Sequence, residues 1–247
     1  MRTNNRNFDE LRPVTIIPDY IYFADGSALI EIGKTRVSAT ATIEEKVPLF
    51  LRGSNTGWIT AEYSMLPRAT KKRTVRERIR GQLSGRTQEI QRLIGRALRA
   101  STDLSVLGER TIIIDCDVLQ ADGGTRSASV TAGCVALALA LEKMMSENII
   151  NEMPLRNLVS AVSVGIVADN MLLDLDYKED SNADIDMNVV ETDSGQIVEI
   201  QATAEKNPFS KKQFDELLEL ADKGIKELIH VQKALLKKKS LLFMAYG

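Results

Sequence analysis

The chain has 247 residues, of which 44% are hydrophobic and 27% charged, and its formal net charge is −2. This composition is typical of soluble globular proteins and excludes intrinsically disordered, collagen-like and membrane-embedded classes. The single histidine, His230, lies in a helical pattern late in the chain and is interpreted as an ordinary helix residue. Any catalysis is therefore expected to use arginine, lysine, carboxylates, backbone amides and a metal.

The length allows one large domain or two smaller ones packed together. Both cysteines, Cys116 and Cys134, lie in apolar runs, which favours reduced core residues over a disulfide framework. No stretch of about 18 uncharged apolar residues occurs, which is the length that indicates a membrane span. We expect a soluble, cytoplasmic protein without membrane contact.

The first part of the chain is rich in predicted strands. Alternating or β-branched runs indicate strands at residues 14–17, 28–32, 35–43 and 58–63. The Gly33-Lys34 turn joins the second and third of them as a hairpin. The basic stretch that follows contains Pro67 and is predicted to be irregular.

A helix and then a strand–turn–helix unit follow. Ser84 is a candidate N-cap, and the apolar residues after it recur at the spacing of one helix stripe: Ile90, Leu93, Ile94, Ala97 and Leu98. Residues 111–119 form a β-branched run that ends in Asp122-Gly123-Gly124-Thr125-Arg126. An apolar stretch of about 14 residues, 128–141, predicts a buried helix rather than a membrane span.

The second half of the chain repeats this pattern. Strands are predicted at residues 158–167, 171–177, 187–191 and 196–203. Ser210 and Gln213 form a capping box that predicts the start of a long final helix. Two strand-rich halves, each closed by helices, indicate an α/β fold with an internal duplication. The predicted domains are residues 10–145 and 155–232, followed by a C-terminal tail, 233–247.

Charge is unevenly distributed. Residues 68–99 contain eleven arginines or lysines against two glutamates, whereas the rest of the chain carries a charge of −11. Most of these cations are arginines, whose planar guanidinium matches phosphate oxygens two at a time. Arg92, Arg96 and Arg99 are predicted to share one helix face. The segment indicates either a surface for nucleic acid or a solvated helix face or subunit contact.

Two predicted helix starts could hold a phosphate. The Gly123-Gly124 turn precedes a helix, where free backbone N–H groups and the helix dipole favour an anion. Arg86 opens the helix that begins near Ser84, so both starts could converge on one anion. The alternatives are a plain glycine turn and a surface arginine.

Six carboxylates occur within 13 residues: Asp174, Asp176, Glu179, Asp180, Asp184 and Asp186. Close carboxylates repel each other unless a cation neutralises them, and oxygen ligands favour Mg²⁺ or Mn²⁺. A calcium-binding EF-hand is excluded, because Ile185 stands where its loop requires glycine and the flanks are predicted strands. The alternative to a metal site is a solvated acidic turn.

Motifs of one known family occur in order from about residue 11 to residue 209. They are Leu11-Arg12-Pro13-Val14 and the segments 50–54, 60–70, 85–96, 115–126, 161–167, 179–181 and 186–190. Together they resemble the bacterial ribonuclease PH family, which is related to the polynucleotide phosphorylases. The resemblance covers nearly the whole chain and implies a ribonuclease PH-like two-domain fold.

The resemblance also implies an activity. The activity is that of a phosphate-dependent 3′ to 5′ exoribonuclease that trims the 3′ ends of tRNA precursors and other RNA. Such an enzyme releases nucleoside diphosphates by reversible nucleotidyl transfer and does not act on DNA. It further implies a homo-oligomer, a hexameric ring built as a trimer of dimers. Inorganic phosphate would be a substrate, and a divalent metal, Mg²⁺ or Mn²⁺, a cofactor.

Site residues follow from the same resemblance. Phosphate would be bound by Arg86, Gly124, Thr125 and Arg126. The pair tied to catalysis and to metal binding would be Asp180 and Asp186. RNA binding or subunit contact would fall to Arg68, Arg73, Arg76, Arg92 and Arg96. Asn188 stands where the related phosphorylases have a lysine, so the metal geometry is expected to differ.

Several alternatives stay open at this point. Asp180 could protonate the leaving oxygen instead of binding a metal, because crowding by other carboxylates would raise its pKa. A non-catalytic RNA-binding ring subunit of the same fold is the strongest rival to an enzyme. A hydrolytic, metal-dependent nuclease is a further rival, although it would leave the phosphate site without a substrate.

Overall fold

The structure is a computed structural model that describes residue 2 and residues 5–239, apart from the side chains of Arg78 and Arg80. The strands are β1 Val14–Pro18, β2 Gly26–Ile32, β3 Thr35–Glu44, β4 Trp58–Met65, β5 Thr111–Gln120, β6 Val159–Val167, β7 Asn170–Leu173, β8 Ile185–Thr192 and β9 Ile197–Ala204. The helices are α1 Glu77–Arg80, α2 Gly85–Ala100, α3 Thr125–Ser146, α4 Tyr177–Asp180 and α5 Lys211–Lys238.

The first half forms a five-stranded sheet with the order β1-β2-β3-β5-β4. β4 and β5 are parallel, whereas the other neighbours are antiparallel. The carboxyl ends of β4 and β5 therefore meet at one edge of the sheet. The basic segment leaves β4 at this edge, and the Gly123-Gly124 turn leaves β5 there.

The second half forms a four-stranded antiparallel sheet with the order β7-β6-β8-β9. α5 packs on this sheet. Its predicted capping box is confirmed, because Ser210 accepts the N–H of Gln213 and the Gln213 side chain accepts the N–H of Ser210. The two halves therefore confirm the predicted fold class, a mixed α/β fold with two related strand-rich units.

α3 lies between the halves and packs against β2, β3 and β6. Among the described residues it is the one helix long and apolar enough to cross a membrane, and 83% of its apolar window is buried within the fold. Burial on all sides is typical of a core helix. Cys134 on α3 and Cys116 on β5 are free and buried, as predicted.

Apart from shifts of one or two residues at strand ends, three sequence-based boundaries differ from the structure. The single strand predicted over residues 171–177 is wrong: β7 ends at Leu173, because Asp174 takes a φ of 55° and Asp176 then caps α4. The buried helix is 22 residues long rather than about 14, since it continues through polar residues on both sides of the apolar run.

The third difference concerns the predicted tail. α5 continues to Lys238, so residues 233–238 are helical. Residues 240–247, which include Leu241-Leu242-Phe243, lie outside the described part of the chain. His230 is exposed on α5, in agreement with its interpretation as an ordinary helix residue.

Candidate active site

The glycine turn joins β5 to α3 and touches the second half of the chain. Gly123 and Gly124 have φ values of 84° and 68°, which L side chains rarely adopt. A Cβ on Gly123 would lie 2.5 Å from the carbonyl oxygen of Leu175 and 2.7 Å from the nitrogen of Tyr177. The absence of a side chain thus lets the two halves approach at the start of α3.

Two side chains of α3 border the site next to this turn. Thr125 Oγ1 lies 2.9 Å from the Tyr63 hydroxyl, which fixes the threonine against the first sheet. Arg126 donates from Nη1 to Gln201 Oε1 at 2.5 Å and lies 3.4 Å from Glu89 Oε1. Arg126 is therefore held at the junction between the halves.

Arg86 lies in the first turn of α2, and the predicted start of this helix is confirmed. Ser84 is the N-cap, and its Oγ accepts the backbone N–H of Thr87 at 3.1 Å. Arg86 itself is exposed. Its guanidinium is thus available to a ligand, while the helix fixes its backbone.

The acidic run does not form one cluster. Asp174 and Glu179 are buried in ion pairs with arginines of the N-terminal segment, Asp176 caps α4, and Asp184 pairs with Lys206. Only the last residue of α4, Asp180, and the second residue of β8, Asp186, border the site. The run therefore does not act as one unit, because four of the six carboxylates have structural partners.

The predicted site residues of both halves line one small pocket. It has a volume of about 50 Å³ and is lined by Arg86, Gly124, Thr125, Arg126, Ser163, Asp180, Asp186 and Asn188. This volume holds a few water molecules or a small anion. The pocket shares walls with an open groove of about 870 Å³ that continues along β9 to Lys206.

The electrostatics of the pocket are set by two carboxyls and two guanidiniums. Burial, and then repulsion by Asp180, raise the pKa of Asp186 to about 6, while Arg126, Arg86 and a hydrogen bond from Asn188 oppose the rise. Burial also raises the pKa of Asp180, and the same two arginines oppose it. The pocket therefore combines a cationic wall with carboxyls that ionise reluctantly.

The donor set fits Mg²⁺ better than a metal held by protein ligands alone. The described part of the chain contains no group of three or more His, Cys, Asp or Glu side chains that could hold a metal ion. Asp180 and Asp186 supply two carboxylates, and Asn188 donates to Asp186 at 3.2 Å. Mg²⁺ is commonly bound by one or two carboxylates together with water and substrate phosphates.

The arginines of the basic segment divide into two groups. Arg68, Arg73, Arg76 and Arg92 are exposed, as a surface for RNA or another subunit requires. Arg96 is also exposed, but it makes a bidentate ion pair with Glu199, with N–O distances of 2.7 and 2.8 Å. Arg99, which was predicted to share one helix face with Arg92 and Arg96, places its guanidinium over Trp58, at 4.3 Å from the ring centroid.

The exposed arginines do not border a purely cationic surface. A groove of about 1110 Å³ next to Arg76 and Arg86 is also lined by Glu62, Asp115 and Asp117. Burial and repulsion by Glu62 and Asp117 raise the pKa of Asp115. RNA that follows the arginines is therefore expected to avoid this face of the sheet.

Sequence reasoning did not identify Arg12 as a residue that supports the site. Arg12 binds both carboxylate oxygens of Asp174 at 2.6 and 2.8 Å and donates to the carbonyl oxygen of Asp122 at 2.6 Å. It thereby ties the glycine turn to the segment that leads to α4. The Leu11-Arg12-Pro13-Val14 motif contains this residue, but its partners are more than 100 positions away in sequence.

Comparison with known proteins identifies the family. The family model described as 3′ exoribonuclease family, domain 1, matches residues 10–141, and domain 2 of the same family matches residues 157–224. The chain is 58% identical over 236 residues to a ribonuclease PH of Moorella thermoacetica, which covers 96% of this chain and 94% of that protein. It is 57% identical over 235 residues to a ribonuclease PH of Syntrophomonas wolfei, with 95% and 98% covered.

A solved structure supports the same conclusion. A chain of the Archaeoglobus fulgidus exosome with RNA bound to the active site has a TM-score of 0.78 at 26% identity, and the match covers 93% of this chain and 91% of that one. Both family models together span most of the sequence. The chain belongs to the 3′ exoribonuclease family, and within it to the ribonuclease PH group.

Proposed function

We propose that this enzyme shortens RNA from its 3′ end with inorganic phosphate as the attacking group and releases nucleoside diphosphates. The observation that carries the proposal is the shared pocket, where Arg86 and Arg126 from the first half face Asp180 and Asp186 from the second. Family membership supports the same activity. A phosphate site beside two acidic groups is what phosphorolysis requires, because the substrate and the attacking group are both anions.

The residues of the pocket have separate tasks. Arg86, Arg126 and the backbone at Gly124 and Thr125 hold the phosphate, and the charge-assisted hydrogen bonds offset its repulsion from the RNA backbone. An oxygen of hydrogen phosphate forms a bond to the last phosphorus, and the bond from that phosphorus to the penultimate 3′ oxygen breaks. In net terms the proton of hydrogen phosphate ends on the released 3′ hydroxyl, so the reaction consumes no other acid.

A divalent cation belongs to the same proposal. Asp180 and Asp186 would hold Mg²⁺ or Mn²⁺, which when bound supplies positive charge next to the reacting phosphates. The two arginines that oppose the raised pKa values keep the carboxyls closer to their ionised, metal-binding form.

The test is the dependence of product on phosphate. A short 3′-labelled RNA is incubated with and without inorganic phosphate, and the products are separated by chromatography. We expect nucleoside diphosphates that form only with phosphate, and extension of the RNA when a nucleoside diphosphate is in excess. Nucleoside monophosphates formed without phosphate would instead indicate a hydrolytic nuclease, and RNA binding without turnover a non-catalytic ring subunit.

The RNA and the assembly are the finer parts of the proposal. We infer that the 3′ ends of tRNA precursors are substrates, that the chain forms a hexameric ring as a trimer of dimers, and that it acts in the cytoplasm. The related exosome chain, with RNA bound to its active site, supports an RNA substrate and a multi-subunit assembly. Light scattering of the purified protein measures the mass of the assembly directly.

A further inference from the structure

A chain of polar side chains leads from the surface of α2 to the phosphate pocket. Arg96 makes its bidentate pair with Glu199, and Glu199 Oε1 accepts a hydrogen bond from Gln201 Nε2 at 3.1 Å. Gln201 Oε1 in turn accepts the bond from Arg126 Nη1 at 2.5 Å. Glu199 and Gln201 are two residues apart on β9, so their side chains lie on the same face of the sheet.

The two bonds of Gln201 fix which end of its amide faces Arg126. An amide has a donor end and an acceptor end. Because Glu199 is a carboxylate that only accepts, it takes the NH₂ group and leaves the oxygen toward Arg126. Without Glu199 the amide could turn, and its donor end would then face the guanidinium, which has no acceptor.

The neutral acceptor also suits a guanidinium that must bind an anion. Gln201 is a neutral acceptor, so its short bond does not neutralise the charge of Arg126. The same nitrogen also makes a longer ion pair with Glu89 Oε1, at 3.4 Å. The Glu89 side chain is 43% exposed, so movement of Arg126 toward it would draw the guanidinium outward. Gln201 thus keeps Arg126 at the pocket and opposes its movement toward Glu89.

These contacts change the interpretation of Arg96. The sequence placed this residue with the arginines for RNA or subunit contact, yet its guanidinium is committed to Glu199 across the junction of the halves. Arg96 and Glu199 line neither the small pocket nor the open groove next to it. Their hydrogen-bonded connection to the pocket runs through Gln201 and Arg126.

We propose that Arg96 and Glu199 are positioning residues for phosphate binding, which orient the amide of Gln201 and through it the guanidinium of Arg126. The proposal rests on the proposed role of Arg126 in holding phosphate. It assigns the chain of contacts to phosphate affinity rather than to RNA affinity. Loss of one such hydrogen bond is expected to change affinity about two- to tenfold.

The experiment measures initial rates against phosphate concentration at saturating RNA. We expect Glu199→Gln, Gln201→Leu and Arg96→Met each to raise the KM for phosphate about two- to tenfold, with the KM for RNA unchanged. Arg96→Lys keeps the charge and should restore part of the affinity. Arg110→Met is the matched control, because Arg110 also makes an ion pair, with Glu45, at the end of the first sheet away from the pocket. This variant should leave both constants unchanged.

A second measurement separates action through Arg126 from a general loss of structure. Phosphate binding is also read from the rise in melting temperature on adding phosphate, which requires no turnover. In an Arg126→Met background, Glu199→Gln should cause no further loss of phosphate binding. An additional loss there, or a raised KM for RNA with normal phosphate binding, would overturn the inference. If Arg126→Met itself bound phosphate normally, the proposed function of Arg126 would fail instead.

Discussion

Arg86 and Asp180 come from different halves of the chain and line the same pocket, where the guanidinium opposes the rise in the pKa of the carboxyl. Arg86 lies in the first turn of α2, and Asp180 ends α4. Among the residues that line this pocket, the arginines come from the first half and the carboxyls from the second. The chemistry of the site therefore depends on how the two halves are held together.

Replacing Arg86 tests the phosphate site. We expect Arg86→Met to raise the KM for phosphate about 10- to 100-fold, because a charge-assisted hydrogen bond contributes about 1.5 to 3 kcal/mol. RNA affinity, measured by filter binding at constant salt, should change little. Arg36→Met serves as the control, since Arg36 pairs with Glu31 on the hairpin of the first sheet. A normal phosphate KM in the Arg86 variant would remove this residue from the site.

Replacing Asp180 tests the role of the carboxyls that line the pocket. We expect Asp180→Asn to lower kcat by about a hundredfold or more, whether the carboxyl acts as a proton carrier or as a metal ligand. The mass of the assembly should be the same as in the wild type, because Asp180 lines the pocket and no ion pair of its carboxyl is found within the described part of the chain. Near-normal turnover would contradict the proposed role, and a change of mass would show that the variant acts through assembly.

The sequence predicted the elements that carry the site better than the site itself. Periodicity and caps located α2, α3 and α5, because these signals are local. Asp174 and Asp180 look alike in the acidic run, yet one is buried between arginines and the other faces the pocket. That difference arises from partners more than 150 positions away, which no local pattern contains. The family resemblance, not the spacing, selected Asp180 and Asp186.

The same limit applies to Arg96. On the helix it occupies the same face as Arg92, one turn away, and both were predicted to contact RNA or a subunit. Only the position of β9 distinguishes them, because Glu199 reaches Arg96. Helical periodicity predicts which residues share a face but not what that face meets.

The raised pKa of Asp186 predicts a stability that depends on pH. Burial and Asp180 raise it to about 6, so between about pH 4 and pH 6 the folded chain binds a proton that the unfolded chain has lost. Stability should therefore fall as pH rises through this window, by about 2 to 3 kcal/mol for this group. Urea unfolding in metal-free buffer measures the change.

The matched variant for this experiment is Asp186→Asn. Asparagine carries no charge, so above pH 6 the variant should be more stable than the wild type although it is inactive. Below pH 4 the two proteins should unfold at similar urea concentrations. If the difference in stability between the wild type and the variant stayed constant between pH 4 and pH 7, this result would contradict the raised pKa.

Mg²⁺ should relieve the repulsion between the carboxylates of Asp180 and Asp186. At pH 8, above the raised pKa of Asp186, we expect added Mg²⁺ to raise the melting temperature of the wild type, because a ligand that binds only the folded state stabilises it. The double variant Asp180→Asn/Asp186→Asn should not respond. An equal rise in both proteins would mean that the cation binds elsewhere, and no rise in the wild type would exclude this site at the concentrations used.

The last expectation concerns the contact between the halves at Gly123. Gly123→Ala and Gly195→Ala both place a side chain at positive φ, which costs about 1 to 2 kcal/mol in each case. A Cβ at Gly195 would meet nothing within 4 Å, whereas a Cβ at Gly123 would lie 2.5 to 2.7 Å from the backbone of residues 175–177. The excess loss in Gly123→Ala, measured by urea unfolding, thus reports the steric contact alone, and overpacking of this kind costs about 1 to 3 kcal/mol.

Because the displaced backbone leads into α4 and Asp180, kcat should fall in Gly123→Ala and not in Gly195→Ala. Equal losses of stability in the two variants would show that the halves tolerate separation at this point.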